Sequence, residues 1–288
     1  MSGPVRHTAF DTAHPAVAAV YAVVTLALTM CSLQPVLIAL SLAGGFAYSC
    51  CVRGLGASLV SLRWQLPFIL LVAVLNPLFS ASGSTELFRL GGRAVYLESL
   101  CYGCAMGGLF VASALWFQGA SHMLPFDRVM ALLGNAAPVL ALMVSQGMRL
   151  VPRLVRQGGL IGTAQAASLP HRRRGDELRD RLRLSTVLMG WSLEDSLETA
   201  DAMRARGWGA ALQRTTYTRY RFTADDAIAV FALAAGAALS AVVSFAATSQ
   251  FDFYPTMSSL VAWWGYAPYA LWMLVPALLH VREERRFS

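Results

Sequence analysis

Apolar positions run along this chain in long blocks, and the blocks set its elements. Four fall in the first half, at residues 15–30, 34–51, 59–79 and 98–119, and two near the end, at 224–248 and 260–281. A helix rises about 1.5 Å per residue, so about 20 apolar residues cross a bilayer core. Each block must then be helical, because an unpaired backbone amide in lipid costs several kcal/mol. The pattern predicts an all-α, polytopic integral membrane protein with six spans, the first somewhat short. Arg6 and His7 precede the first block. Asp11 and His14-Pro15 interrupt it, and no small-residue cleavage site closes a short core, so the start does not read as a signal peptide.

Residues 120–222 have a different pattern, too long for a plain loop in a helix bundle. Residues 125–145 remain apolar enough to lie in the membrane interface or to form a short span. Beyond them Arg149, Arg153 and Arg156 recur at helical spacing, with Val151, Leu154 and Val155 on another face. The helix continues through Ile161 to Ala167, loosened by Gly158 and Gly159 and ended by Pro170. A second amphipathic helix is expected over residues 182–206. There Leu193, Leu197, Ala200, Met203 and Gly207 form a stripe. Glu194, Asp195, Glu198 and Asp201 lead and Arg204 and Arg206 follow, the order that suits the helix dipole. Gly207 stands where a left-handed C-cap is wanted, so Arg206 should project from the helix end beside a chain reversal. Three segments result: a bundle of about four spans (1–119), a region of paired long helices (120–222), and a C-terminal pair of spans with a basic tail (223–288).

Composition supports lipid as the solvent. Hydrophobic residues make up 56% of the 288 and charged residues 14%, about half of what soluble domains carry. All 23 basic residues are Arg, and with 16 acids the net charge is +7. Residues 148–221 hold fourteen Arg against seven acids. With Arg6, Arg53, Arg63, Arg282, Arg285 and Arg286, they fall on one side if the chain starts in the cytoplasm. The opposite loops carry Glu86, Arg89, Arg93 and Asp252, close to balance. A plasma-membrane protein with both termini cytoplasmic is expected.

Candidate chemistry is sparse. The absence of Lys excludes a Walker phosphate loop, and Gly56-Ala57-Ser58 lacks the second glycine of a nucleophile elbow. His122 and His280 lie at span ends, where an intramembrane Ser-His pair would want a deeper histidine. His7, Asp11 and His14 have metal-ligand types at loose spacing between Pro4 and Pro15, which argues against a closed site; no metal is assigned. Glu98, Asp225 and Asp226 begin spans, where acids favour helix N-termini. Cys101 and Cys104 form a C-x-x-C inside a span and read as packing. Gly103 and Gly107 form a Gly-x-x-x-Gly face for another helix, within the chain or of a partner. The arginines are interleaved with acids and precede most of the aromatic residues Trp208, Tyr217 and Tyr220, so nucleic acid is a poor partner. Anionic lipid near Arg214, Arg219 and Arg221 is a better one.

Ala200-Asp201-Ala202-Met203-Arg204-Ala205-Arg206-Gly207-Trp208-Gly209 resembles the Ala-Met-x-x-Arg-Gly motif of the energy-coupling factor transporter T component, the EcfT/CbiQ family. Other motifs follow in the family's order: Asp11-x-x-His14-Pro15; Asn76-Pro77-Leu78-Phe79, Leu87-Phe88 and Leu97-Glu98-Ser99-Leu100-x-Tyr102-Gly103; then Val151-Pro152-x-Leu154 and Ala164-Gln165-Ala166-Ala167. The resemblance covers most of the chain. It implies a non-catalytic membrane scaffold of an ABC-type importer for vitamins or transition-metal ions. Two coupling helices would end in short motifs, Ala205-Arg206-Gly207 and Ala167-Ser168-Leu169, each docked on one subunit of an ATPase pair (A and A′ type). A membrane-embedded S component would carry the cargo. No cofactor is implied on this chain; ATP would be bound by the partner ATPases. The sequence departs from the pattern at Ser168-Leu169, where the family has Arg-Gly; Arg172, Arg173 and Arg174 follow shortly after. The alternatives are a dedicated cobalt or nickel permease subunit of the same architecture, and a conventional ABC permease with its own substrate site, which would need polar residues facing a cavity mid-span.

Overall fold

In a computed structural model, residues 14–80, 83–90, 93–168, 177–210, 222–255, 257–259 and 263–287 are described. Among them nine helices carry the fold: α1 (Pro15–Cys31), α2 (Pro35–Arg53), α3 (Leu55–Phe79), α4 (Leu97–Met123), α5 (Phe126–Ala136), α6 (Pro138–Ser168), α7 (Glu177–Ala205), α8 (Ala224–Ser249) and α9 (Tyr266–Phe287). A short antiparallel hairpin, β1 (Glu86–Leu90) and β2 (Arg93–Tyr96), joins α3 to α4, where only a loop was expected. The chain divides into two units, Met1–Val129 with Tyr220–Ser288, and Met130–Arg219. The first and third sequence segments thus belong to one unit.

Four helices, α2, α3, α4 and α8, are long and apolar enough to cross a bilayer. This is the make-up of a multi-pass membrane protein. The expectation of six spans is not met among the described residues. Helix α1 is apolar but has 17 residues. Helix α9 starts at Tyr266, later than expected, because residues 263–265 do not join it. Only sixteen of its residues precede the Arg282 charge cluster. At about 1.5 Å per residue that is some 24 Å, short of the roughly 30 Å core.

The helix starts follow local chemistry. Pro15 and Pro35 occupy first turns, where their missing N–H costs nothing. His14 caps α1 by accepting the Ala16 N–H on Nδ1 at 3.2 Å. Thr223 and Asp226 form a capping box on α8, and Asp226 also accepts the His14 N–H at 3.0 Å, tying two helix starts together. His14 is therefore occupied as a cap; His7 and Asp11 lie outside the described residues. Gly54, at φ +87°, is the one residue between α2 and α3. The helix resumes so soon that Arg63, counted among the charges on the cytoplasmic side, lies in the third turn of α3.

Helix α4 is the centre of the first unit, packed along α1, α2 and α3. A Cβ on Gly103 would come within 2.9 Å of Ala73 Cα and of Asn76 Cβ, and one on Gly107 within 2.9 Å of Ile69 Cα. The Gly-x-x-x-Gly face thus lies against α3, the internal of the two contacts considered for it. Asn76 donates to the Ser99 carbonyl at 2.7 Å, and Ser99 to the Ser80 carbonyl at 2.7 Å. Glu98, buried, accepts from the Ser84 and Thr85 hydroxyls and from the Thr85 N–H, fastening the segment before the hairpin to the start of α4. Cys101 is half-buried and Cys104 exposed, both as free thiols, so only the first of the pair packs inward.

The interior is richer in hydroxyls than the hydropathy pattern suggested. Thr29 pairs with Ser41 at 3.0 Å, Ser32 with Ser244 at 2.6 Å and Ser49 with Ser58 at 3.0 Å. Trp116 donates to the Ser41 carbonyl and Trp272 to Thr25, while Tyr21 stacks on Trp272 with ring centroids 5.1 Å apart. Small residues that satisfy one another across helices suit an apolar solvent, where an unpaired hydroxyl is costly.

Gly103→Val should lower the thermal unfolding midpoint of the detergent-solubilised protein, at a cost of about 1–3 kcal/mol from overpacking. Gly190 has nothing within 4 Å of an added Cβ, so Gly190→Ala should instead gain up to about 1 kcal/mol. A Gly103→Val protein as stable as the parent would refute the close approach of α3 and α4.

Candidate functional site

The second unit carries the residues singled out by sequence. Its helices α6, of 31 residues, and α7, of 29, lie side by side. Gln146 donates to Met203 Sδ at 3.3 Å, and Arg153 Nη1 reaches Asp195 Oδ2 at 3.1 Å. A Cβ on Gly158 would meet Leu188 at 3.5 Å. As one number rises the other falls, so the helices run antiparallel.

The half-buried stripe of α7 is Leu184, Leu188, Trp191, Asp195, Thr199 and Met203, at steps of three and four. The expected stripe differed: of it only Met203 turns inward, while Leu193 and Leu197 are 68% and 70% exposed. On α6 the outcome is similar. Val151 and Val155 are exposed, Leu154 is half-buried, and Arg153 turns to α7. The inward face is instead built on Leu184, Leu188, Trp191 and Met203, and it carries one charge, Asp195, which meets Arg153. Arg156 bonds its own helix at the Pro152 carbonyl.

Helix α7 ends as its sequence promises. Gly207 has φ +78°. Its N–H donates to the Arg204 carbonyl at 2.9 Å, and the Trp208 N–H to the Met203 carbonyl at 3.0 Å. This is the Schellman arrangement, which satisfies the last carbonyls of a helix. Gly209, at φ +84°, completes the reversal. Ala205, Arg206 and Gly207 are all exposed. At the end of α6, Ala167 and Ser168 are exposed, and Ser168 donates to the Gln165 carbonyl of its own helix at 3.0 Å. Leu169, Pro170 and Arg172 to Arg174 lie outside the described residues, as do Arg214, Tyr217, Arg219, Tyr220 and Arg221. Measured from the Arg153–Asp195 pair, fifteen residues of α6 run one way and eleven of α7 the other. At about 1.5 Å per residue, the two tips stand roughly 40 Å apart along the pair.

A cavity of about 420 Å³ opens between α6 and α7 near the α7 tip. Arg149, Arg153, Asp195, Thr199, Met203 and Arg206 are among its lining residues. The sequence placed Arg149 and Arg153 on one helix face but gave no sign that Asp195, 42 residues on, would meet them. Only the antiparallel register of the two helices does that.

No family model matches the chain, and no curated protein matches it.

Gly207→Ala should strain the cap by about 1–2 kcal/mol, the cost of a left-handed conformation for an L side chain. Amide exchange at residues 207 and 208 should accelerate, with Gly207→Asn intermediate. Unchanged exchange in Gly207→Ala would mean that the left-handed cap does not hold the end of α7.

Proposed function

We propose that this chain is the transmembrane T component of an energy-coupling factor importer. It joins a pair of cytoplasmic ABC ATPases to a membrane-embedded S component that carries a vitamin or a transition-metal ion. In this reading the chain hydrolyses nothing, and both termini and the α6–α7 unit face the cytoplasm of a plasma-membrane protein. The observation that carries it is Arg206: an exposed guanidinium on the capped, rigid end of a 29-residue helix.

Chemistry favours that residue for docking. Guanidinium has five donors in a fixed fork and pairs bidentately with carboxylates, and arginine is a frequent interface anchor. Because Gly207 fixes the end of α7, a push on Arg206 is a push on the whole helix. The other tip, Ala167 and Ser168 with Leu169 beyond them, stands far enough away for a second ATPase subunit. It lacks an arginine and would dock through packing or through Arg172 to Arg174. The apolar row Leu178, Leu182, Met189, Leu193 and Leu197 lies exposed along α7. So many uncovered large apolar side chains on one helix support a chain that works inside an assembly.

The test is co-purification of a tagged chain with the ABC ATPases encoded beside it, in mild detergent. The parent should retain the ATPases. Arg206→Glu reverses the charge of the anchor and should lower recovery at least tenfold, whereas Arg183→Gln, away from the tip, should not. ATPases that come down equally with Arg206→Glu would remove the docking role.

A further inference from the structure

The cavity between α6 and α7 has an excess of positive charge that reaches beyond the docking tip. Three guanidiniums line it, those of Arg149, Arg153 and Arg206, against the single carboxylate of Asp195. Asp195 is committed to Arg153, whose Nη1 lies 3.2 and 3.1 Å from its two oxygens. The guanidiniums of Arg149 and Arg206 have no hydrogen-bond or ion-pair partner among the described residues. Two uncompensated cations on one cleft repel each other and favour a negative ligand between them.

We propose that this cleft is an anion site that binds a phosphate group through Arg149 and Arg206. Guanidinium forks match phosphate oxygens in pairs, which a lone ammonium cannot do. Neutral donors stand beside them. Thr199 has a hydroxyl without a partner among the described residues, and Gln146 has an amide N–H beyond the one given to Met203. The Arg153–Asp195 pair holds the helices at this spacing and leaves a net charge of two for the ligand. At about 420 Å³ the space exceeds a single phosphate and admits the group together with what it is esterified to. The chemistry is the same for the headgroup of an anionic phospholipid and for a free phosphate. The assignment rests on the cleft and not on ATPase docking; since Arg206 serves both, the test uses Arg149.

The experiment uses the full chain, delipidated in detergent. Titration calorimetry with inorganic phosphate measures the free-anion arm. Native mass spectrometry after reconstitution with phosphatidylglycerol or phosphatidylcholine measures the lipid arm. In at least one arm the parent should bind, with phosphatidylglycerol retained over phosphatidylcholine in the second. Arg149→Gln should weaken that binding by about tenfold, the scale of one charge-assisted hydrogen bond. Arg149→Lys should restore part of it and Arg183→Gln should leave it unchanged. Thr199→Val, which keeps the charge, should weaken it less, and it provides a second variant should Arg149→Gln lose helical content. Loss confined to the phosphate arm identifies a free phosphate, and loss confined to the lipid arm a headgroup. Absence of binding in both arms, or binding indifferent to Arg149→Gln and Thr199→Val, overturns the assignment.

Discussion

The close approach of α3 and α4 at Gly103 and Gly107 is the contact on which the membrane unit depends. Lipid gives helices no hydrophobic reason to associate, so packing and small polar contacts must do it. Without side chains at those two positions, the α4 backbone comes near enough to α3 for Asn76 to reach Ser99. Glu98, one turn from Tyr102, then fastens the hairpin side of the connection. From α4 the bundle builds outward: α2 packs on it and carries α9, and α1 packs on it and carries α8. The capping box of α8 and the Asp226 bond to the His14 N–H close that outer layer at one end.

Much of this was legible in the residues. Block length gave α2, α3, α4 and α8 nearly to their ends, because in lipid the apolar run and the helix are the same object. Gly207 was legible as a left-handed cap because few other residues take positive φ there. The span count was not, since α9 trades apolar length for its charged last turns. The inward face of α7 also escaped. Leu193 and Leu197 looked like core by their spacing, yet the inward face is that of Leu184, Leu188 and Trp191, and it takes Asp195 in to meet Arg153 on α6. An ion pair between helices far apart in sequence leaves no local trace, and hydropathy alone assigns both charges to solvent. The buried hydroxyls escaped similarly: Thr29 and Ser41, or Ser32 and Ser244, read as ordinary polar positions until their partners across the bundle are known.

The second unit mixes the two kinds of surface: Leu184, Leu188 and Trp191 face α6, while Leu193 and Leu197 stay outside and Arg149, Arg153 and Arg206 line the rim of the cleft. That arrangement suits a device completed by other molecules. The exposed row on α7 offers area for a protein, the Arg206 tip offers a directional anchor, and the Arg149 side of the cleft offers charge to an anion. Arg206 belongs to both the tip and the cleft, on a helix end that Gly207 caps.

The most direct measurement is site-specific photocrosslinking from Ala205, beside Arg206, in native membranes. A photoreactive residue at that exposed position leaves the arginine in place. An adduct whose added mass and peptides are those of an ABC ATPase subunit is the expected result. Adducts to lipid alone, or to a protein without an ATP-binding cassette, would contradict the central claim that the end of α7 is where an ATPase docks on this chain.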